Sequence, residues 1–542
     1  MPDAIPFLRI PPFPRSKPAS LAIAGVHGGT ETANDIAAAL RDARVGGDFW
    51  LGEVSLPEGR DVLLCAATAK GRQAVLAWAE AAGLADRAAM RGAPGSGVPA
   101  FHAAADPWAM CSRARLVVTH ADDEWALVAA LAGCELQIVG EGRFEVLKQP
   151  AGLEHAVCAE VLDGWRYCDP FTGQPANVAE AIAQLGVWRG LIESNRRFAA
   201  IFGVAGWKRV TIDPLLWDGT GPVRYRSNLR ADDLAAGDAV LAWMARTDEG
   251  ALAALSRRGI DLGEIEDGMI RSSGLGANCV PPLSIAVDAL GPHFDPSRPS
   301  ELENLLQTAD ISPAMCARAA RLRETVVQRG IGKYGQDRAA PAASRGDRRR
   351  VVLVAGQVED DRSVLCGGGG LDNLSLLRNA RALETDAWIV FKPHPDVEAG
   401  HRKGHVPDEA VLALADSIDR TSSMPALLAQ VDAVHVITSL AGFEALLRGC
   451  EVVTHGAPFY AGWGLTRDVG PVPSRRTRKR SLDELVAATL ILYPRYLDPV
   501  SRLPCSPELL IHRIDSGEAE VRTARILFRE LLGRARRMMG RR

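Results

Sequence analysis

Four polar clusters in the second half of this 542-residue chain carry side chains suited to group transfer. They are Glu266-Asp267-Gly268, Gln357-Val358-Glu359-Asp360-Asp361, Lys392-Pro393-His394-Pro395-Asp396 and Thr438-Ser439-Leu440-Ala441-Gly442-Phe443-Glu444. Asp267 and Asp361 are carboxylates on tight turns, the type used as nucleophile or general base, and equally the type that simply builds a turn. His394 is bracketed by prolines that fix the backbone and aim the ring. An imidazole so held can donate to a nucleotide phosphate and stabilise a leaving group, and Lys392 adds a cation for a phosphate or a sugar carboxylate. Thr438, Ser439 and Gly442 sit at a helix start, where free amides and the helix dipole suit a phosphate; Ser and Thr there also serve as plain caps. Glu444, in the first turns, can accept the protons of two ribose hydroxyls.

The elements that must hold these groups read as alternating strands and helices. Strand-like runs are Leu21–Val26, Arg115–Thr119, Val351–Ala355, Ala387–Phe391, Val431–Ile437 and Glu451–Thr454, and helix-like stretches include Asn373–Leu383 and Gly442–Arg448. Such alternation predicts α/β layers with parallel sheets, and the clusters then fall beyond the carboxyl ends of strands, where open α/β sheets bind ligands. Residues 336–350, polar and rich in Pro, Ala and Arg, read as a linker. Gly367–Gly370 lacks the GxxxxGK[ST] spacing of a phosphate loop and reads as a flexible turn. Arg475, Arg476, Arg478, Lys479 and Arg480 form a basic run, a solvated loop able to attract an anionic donor or acceptor.

Composition narrows the class. Apolar residues make up 47% and charged residues 24% of the chain, the balance of a soluble globular protein. A net charge of −3 gives no reason to expect nucleic acid as a partner. The ten cysteines show no CxxC spacing, which argues against a zinc site or disulfide framework and for a reducing compartment. The proline-rich start, with Pro6, Pro11, Pro12 and Pro14, lacks the order of a signal peptide, and no apolar run reaches the ~18–20 residues of a membrane span. Residues 521–542 place Leu527, Phe528 and Leu531 on one helical face and Arg522, Arg525 and Arg529 on another, the pattern of a membrane-surface helix.

An internal repeat runs through the chain. Residues 112–144 and 430–463 both read as strand, polar turn, helix, Gly-Cys (Gly133-Cys134, Gly449-Cys450), strand and aromatic. Each is followed by an echo, Tyr167-Cys168-Asp169-Pro170 and Tyr496-Leu497-Asp498-Pro499, so duplication of one unit is expected. In this pairing His120 corresponds to Ser439, and Glu124 keeps the position of Glu444.

The strings IEDGMIRSSGLG, PPLS, GQVEDDRSV, FKPHPDVEAGHRKG, TSLAGFEALLRG and PFYAGWGLTRD, spread in order over Leu252–Ile511, closely resemble the KpsC-type capsular polysaccharide β-Kdo transferase family. The resemblance implies a GT-B fold, with two Rossmann-like domains facing a cleft and the nucleotide on the C-terminal one. It implies transfer of Kdo from CMP-β-Kdo with retention onto a glycolipid acceptor, at the cytoplasmic face of the inner membrane and beside other capsule assembly proteins. No tightly bound cofactor is expected; GT-B enzymes commonly act without a metal, and no ligand cluster stands out. By the same resemblance Asp361 is the candidate nucleophile of the motif that begins at Gln357, and His394 and Pro395 face the nucleotide phosphate. Ser439 and Glu444 match phosphate and ribose contacts. Asp267 orients or deprotonates the acceptor, and Glu266, Arg271, Tyr460 and Trp463 fall at substrate-contacting positions.

KpsC-type proteins carry two complete catalytic modules, and this chain departs from that. The segment from about residue 100 to 195 resembles only the closing part of a first module, through YCDPFTGQP and on to Trp207-Lys208-Arg209, with no EDG, QxxxD or HP before it. The expected division is a degenerate, non-catalytic module over 1–195, an acceptor-side domain over 196–340, a CMP-sugar domain over 341–515 and a basic helix over 516–542. Transfer from another CMP-sugar of the sialic acid kind, with inversion, and a non-catalytic assembly scaffold are the other readings.

Overall fold

The computed structural model describes residues 5–25, 29–92, 98–226, 234–272, 280–332, 335–336, 349–400 and 402–519. Most of the expected linker and the basic C-terminal helix lie outside the described residues. The chain divides into two compact units, one of Met1–Arg197, Asp213–Val223 and Ser501–Leu503, the other of Phe198–Ile212, Arg224–Val500 and Pro504–Arg542.

The first unit is built on five parallel strands: β1 (Val62–Cys65), β2 (Ala88–Arg91), β3 (Ala100–Phe101), β4 (Leu116–His120) and β5 (Leu136–Val139), in the order β3-β2-β1-β4-β5. β1 is buried throughout, as a central strand covered on both faces requires. Helix α1 (Trp125–Ala132) joins β4 to β5 and ends on Gly133, whose φ of +72° suits a residue without Cβ. An 18-residue helix, Val178–Asn195, is opened by a capping box between Asn177 and Glu180 and buries Trp188 against Phe13 and Phe171.

The second unit holds two larger sheets. One is mixed and contains the parallel strands β6 (Phe198–Phe202), β7 (Ala239–Ala242) and β8 (Asp261–Asp267), with β9 (Ser284–Asp288) antiparallel to β8. The other is wholly parallel: β10 (Val351–Ala355), β11 (Trp388–Lys392), β12 (Ser417–Ile418), β13 (Ala433–Val436), β14 (Glu451–Thr454) and β15 (Arg467–Asp468), in the order β12-β11-β10-β13-β14-β15. Numbered from β10 this is 3-2-1-4-5-6, the dinucleotide-binding order, whose direction reverses between β10 and β13. The expected strands Val351–Ala355 and Glu451–Thr454 and the helix Asn373–Leu383 have these bounds in the structure.

The duplication is visible in backbone detail. The first unit's five strands repeat the first five of the parallel sheet in the same order. In each unit a π-helical turn (Cys158–Leu162, Ala487–Leu492) leads into an antiparallel pair, and the tyrosine of the echo donates back to the carbonyl six residues earlier. Tyr167 Oη reaches Val161 O and Tyr496 Oη reaches Leu490 O, both at 2.7 Å. The pairing of individual residues needs correction, however. Counting back from Gly133-Cys134 and Gly449-Cys450, Asp123 stands where Ser439 stands. Both side chains accept the amide two residues on (Trp125 N to Asp123 Oδ1, 3.0 Å; Ala441 N to Ser439 Oγ, 3.2 Å), Ser439 as the N-cap of its helix and Asp123 one residue before the N-cap Glu124. The position of Glu444 is then taken by the buried Val128, not Glu124, which pairs with Arg9 at 2.7 Å. A longer loop before α1, residues 121–124 against 437–439, hides this register from a sequence comparison anchored on the strands.

Candidate active site

Gln357, at the end of β10, sets the two loops that flank the switch point. Its side-chain oxygen accepts from the amides of Ile437 (3.1 Å) and Thr438 (2.9 Å), and its amide nitrogen donates to Thr438 Oγ1 at 3.2 Å. Asn373 in turn donates to the Gln357 carbonyl and accepts from its amide. Gln357 is buried and its side-chain oxygen carries both of these amide bonds, so this side chain, read from the sequence among the catalytic groups, braces the loop instead.

The braced loop ends on Asp361, the exposed N-cap of α2 (Arg362–Gly367). Oδ1 accepts from the Ser363 amide (3.0 Å) and hydroxyl (2.7 Å), and among the described residues Oδ2 accepts no hydrogen bond. Capping fixes the carboxylate while leaving one oxygen open, which is what a nucleophile requires.

The next residue, Arg362, reaches the other sheet of the unit. Its guanidinium grips Glu264 bidentately (2.9 and 3.1 Å), lies 3.5 Å from Glu266 Oε1 and stacks 5.0 Å from the Phe294 ring centre. Glu264 is buried on β8. The structure therefore brings the Asp361 loop beside the acidic strand that ends on Glu266 and Asp267.

At that strand end Asp267 sits between two cations. Arg271 Nε donates to Oδ2 at 2.7 Å, and Lys208 Nζ lies 3.4 Å from Oδ1. Arg271 is fully buried and also bonds Ser272 Oγ and the Val280 carbonyl, so the expected substrate contact is corrected to a support for Asp267. The end of the matched string around it, residues 273–276, lies outside the described residues. Gly268 is needed because a Cβ there would stand 2.1 Å from Ser284 Oγ.

On the nucleotide side, His394 caps the short helix α3 (Pro395–Glu398). Its Nδ1 accepts the Asp396 amide at 3.2 Å, which puts the neutral ring's proton on Nε2 as a donor. Pro395 occupies the first helical position, where its missing N–H costs nothing. Lys392 is buried and donates to the Ser422 carbonyl at 2.5 Å, and burial lowers its pKa; the expected phosphate cation is a loop anchor.

Ser439 caps α4 (Leu440–Leu447), with Thr438 tied to Gln357 just before it. Tyr460 Oη donates to the Ser439 carbonyl at 2.5 Å, and a Cβ on Gly442 would stand 2.2 Å from that hydroxyl. Gly442 thus makes room for Tyr460 rather than for a phosphate. Tyr460 and Trp463, expected at substrate-contacting positions, are both wholly buried: Tyr460 bonds the Ser439 loop, and Trp463 donates to the Phe459 carbonyl at 2.8 Å. Glu444 stands half-exposed on α4, where a Cβ on Gly332 would lie 3.3 Å from its Oε1. The basic run is structural too: Arg475 and Arg476 pair with Glu303, and the buried Arg480 donates to the carbonyls of Leu305, Leu306 and Ala309. These bonds cap the helix Glu301–Thr308 rather than leave an anion patch.

Sequence reasoning missed Lys208, Glu264 and Arg362 as site residues. Lys208 is 6% exposed and its Nζ lies 3.1 Å from the centre of the Trp243 ring. Its only signal was the Trp207-Lys208-Arg209 string. Glu264 and Arg362 flank quoted motifs, but their pairing joins two sheets and leaves no local trace. Among the described residues no helix is long and apolar enough to cross a membrane, and no group of three or more metal-ligating side chains occurs.

Residues 317–496 match the family described as Capsule polysaccharide biosynthesis protein. The chain is 36% identical over 359 residues to the capsule polysaccharide modification protein LipA of Neisseria meningitidis serogroup A, covering 65% of this chain and 50% of LipA. It is 47% identical over 242 residues to the lipopolysaccharide-processing protein LpsZ of Rhizobium meliloti, covering 44% of this chain and 54% of LpsZ. It thus spans about half the length of the curated relatives it matches. Among solved structures, the beta Kdo 2,4 transferase of Thermosulfurimonas dismutans KpsC is 30% identical, with a TM-score of 0.51, over 58% of this chain and 98% of that one. The α/β architecture with parallel sheets and this likeness bear out the expected GT-B fold, and nearly the whole of a relative at this identity is present: the chain belongs to the KpsC-type capsule polysaccharide biosynthesis family.

Proposed function

We propose that the second unit is a retaining glycosyltransferase that moves β-Kdo from CMP-β-Kdo to a Kdo-bearing lipid in surface polysaccharide assembly. The observation that carries this reading is the Asp361 carboxylate, capped through one oxygen and open at the other, at the switch point of a dinucleotide-type sheet. The KpsC domain it resembles is a beta Kdo 2,4 transferase, which supports the choice of sugar.

In this account Asp361 attacks the anomeric carbon of the donor, and the bond to CMP breaks with its electron pair passing to the phosphate. His394, protonated on Nε2, donates to that phosphate, and the α4 start with Ser439 adds amide donors. Glu444 holds the ribose hydroxyls. The acceptor hydroxyl then displaces Asp361, losing its proton to Asp267. Two displacements at one carbon restore the anomeric configuration. The first unit, with no carboxylate cap at the equivalent place, is read as non-catalytic, and the basic residues of 521–542 as a contact to the inner membrane face. Purified protein incubated with CMP-Kdo and a synthetic Kdo-lipid acceptor tests this: NMR of the product should show the donor's β configuration. An α-linked product, or transfer only from CMP-sialic acid, would refute it.

A further inference from the structure

Lys208 carries a buried charge whose place in the fold stability alone does not explain. Its ammonium is buried among Trp207, 5.5 Å from the ring centre, and Trp243, at 3.1 Å, far from the water that normally solvates a lysine. Removing an ammonium from water is costly, and a cation–π contact offsets only part of that. An apolar side chain of similar length would fill the space between the two rings at no such cost. The charged groups that face Lys208 are Asp267, Glu266 and Arg271. Of these, Asp267 comes nearest, and the 3.4 Å contact to Oδ1 is long for a hydrogen bond, an electrostatic hold on that oxygen. Arg271 already fixes Oδ2 at 2.7 Å. A salt bridge serving stability alone would gain little from a second, distant cation on the same carboxylate.

We propose that Lys208 is a positioning residue for acceptor activation: its ammonium, pinned by Trp243, orients Asp267 Oδ1 toward the incoming hydroxyl. This rests on the transferase reading above. In the step served, the acceptor O–H bond breaks and its proton passes to Asp267. The oxygen's electron pair forms the new bond to the anomeric carbon, and the bond from that carbon to Asp361 breaks, returning its pair to the Asp361 carboxylate. Lys208 touches neither sugar and acts through Asp267.

Burial lowers the Lys208 pKa to about 8, with Asp267 opposing the shift and Arg271 adding to it. Because the charged form does the positioning, transfer should fall as pH rises through that region. The experiment measures the pH profile of transfer from CMP-Kdo to the Kdo-lipid acceptor for the wild type, Lys208→Arg and Lys208→Met, with thermal melts as a folding control. Expected are an alkaline limb near pH 8 in the wild type and a limb moved up by about one unit or more in K208R, because a guanidinium stays charged. K208M should lose about tenfold or more in acceptor kcat/KM, with donor KM shifted much less. A flat alkaline profile in the wild type, or K208R as inactive as a folded K208M, would overturn the assignment. Should K208M not fold, the wild-type and K208R profiles decide. A wild type that transfers no sugar sinks both this inference and the function it rests on, whereas an active wild type matched by K208M sinks this inference alone.

Discussion

The two Rossmann-like sheets share strand order, the Gly-Cys helix ends and the tyrosine that folds back on a π-helical turn, yet they meet the same structural demands with different side chains. After the first strand of each order a helix must be capped. Thr68 does this in the first unit, accepting from the Gly71 amide, and Asp361 does it in the second. After the fourth strand the side chains that accept an amide at the helix start are those of Asp123 and Ser439. One turn into that helix the first unit has Val128 in its core and the second has Glu444 at its surface. Helix capping accepts Thr, Asp or Ser almost equally; nucleophilic attack and ribose binding do not. The backbone frame is therefore preserved by physics that is indifferent to chemistry, and on the proposed reading it is the identity of these side chains that would separate a sheet able to support transfer from one that is not.

The comparison breaks first at Asp361. Asp361→Thr, which installs the first unit's cap, should keep the melting temperature within a few degrees, because Thr still caps, and lower transfer by about a thousandfold or more. Equal loss of fold and activity would mean that Asp361 is structural. Glu444→Val repeats the exchange on the helix and removes a charge-assisted hydrogen-bond acceptor worth about 1.5–3 kcal/mol, so donor KM should rise by ~10–100-fold with kcat changed less. A smaller effect, on stability, is expected from a polar pair that the first unit lacks. His435 on β13, whose place after the strand alignment is held by Val118 or Thr119, contacts His455 (Nδ1 to Nε2, 3.0 Å), and burial lowers both pKa values to about 4. These rings stay neutral in the fold but charge on unfolding. The stability they allow is present above the unfolded value near 6.5 and is lost as pH falls toward 4. The slope is up to about 1.4 kcal/mol per pH unit for each ring. Urea midpoints taken from pH 7 down to 5 should fall, and fall less in His435→Asn. Least of all, His120→Ala, which removes the ring bonded to Asp122 at 2.7 Å in the first unit, should leave transfer within about twofold of wild type. A tenfold loss there would make the first sheet a working part of the enzyme.

Much of the parallel sheet was legible because a central strand buried on both faces is a short unbroken apolar run, as Val351–Ala355 shows. The carboxylates and the histidine of the site were legible because they follow such runs on tight turns. What the sequence could not show was the direction in which neighbouring side chains spend their polar atoms. Tyr460 spends its hydroxyl on the Ser439 carbonyl and Trp463 its indole N–H on the Phe459 carbonyl, and nothing in their spacing distinguishes that from a sugar contact. Gln357 and Lys392 bond to groups some thirty to eighty residues away. Arg362 meets Glu264 across 98 residues. The misaligned repeat has the same origin: a loop one residue longer shifts every cap, and only helix geometry fixes the register.

The central claim is that the sugar passes through a covalent bond to Asp361, and intact-protein mass spectrometry with peptide mapping tests it most directly. Full-length protein incubated with CMP-Kdo in the absence of acceptor should gain the mass of a single Kdo residue on the peptide carrying Asp361. Adding acceptor should discharge it, and Asp361→Thr should never acquire it. A wild type that releases CMP and forms product while no adduct appears at any time point, or an adduct on a peptide other than that of Asp361, would contradict the account.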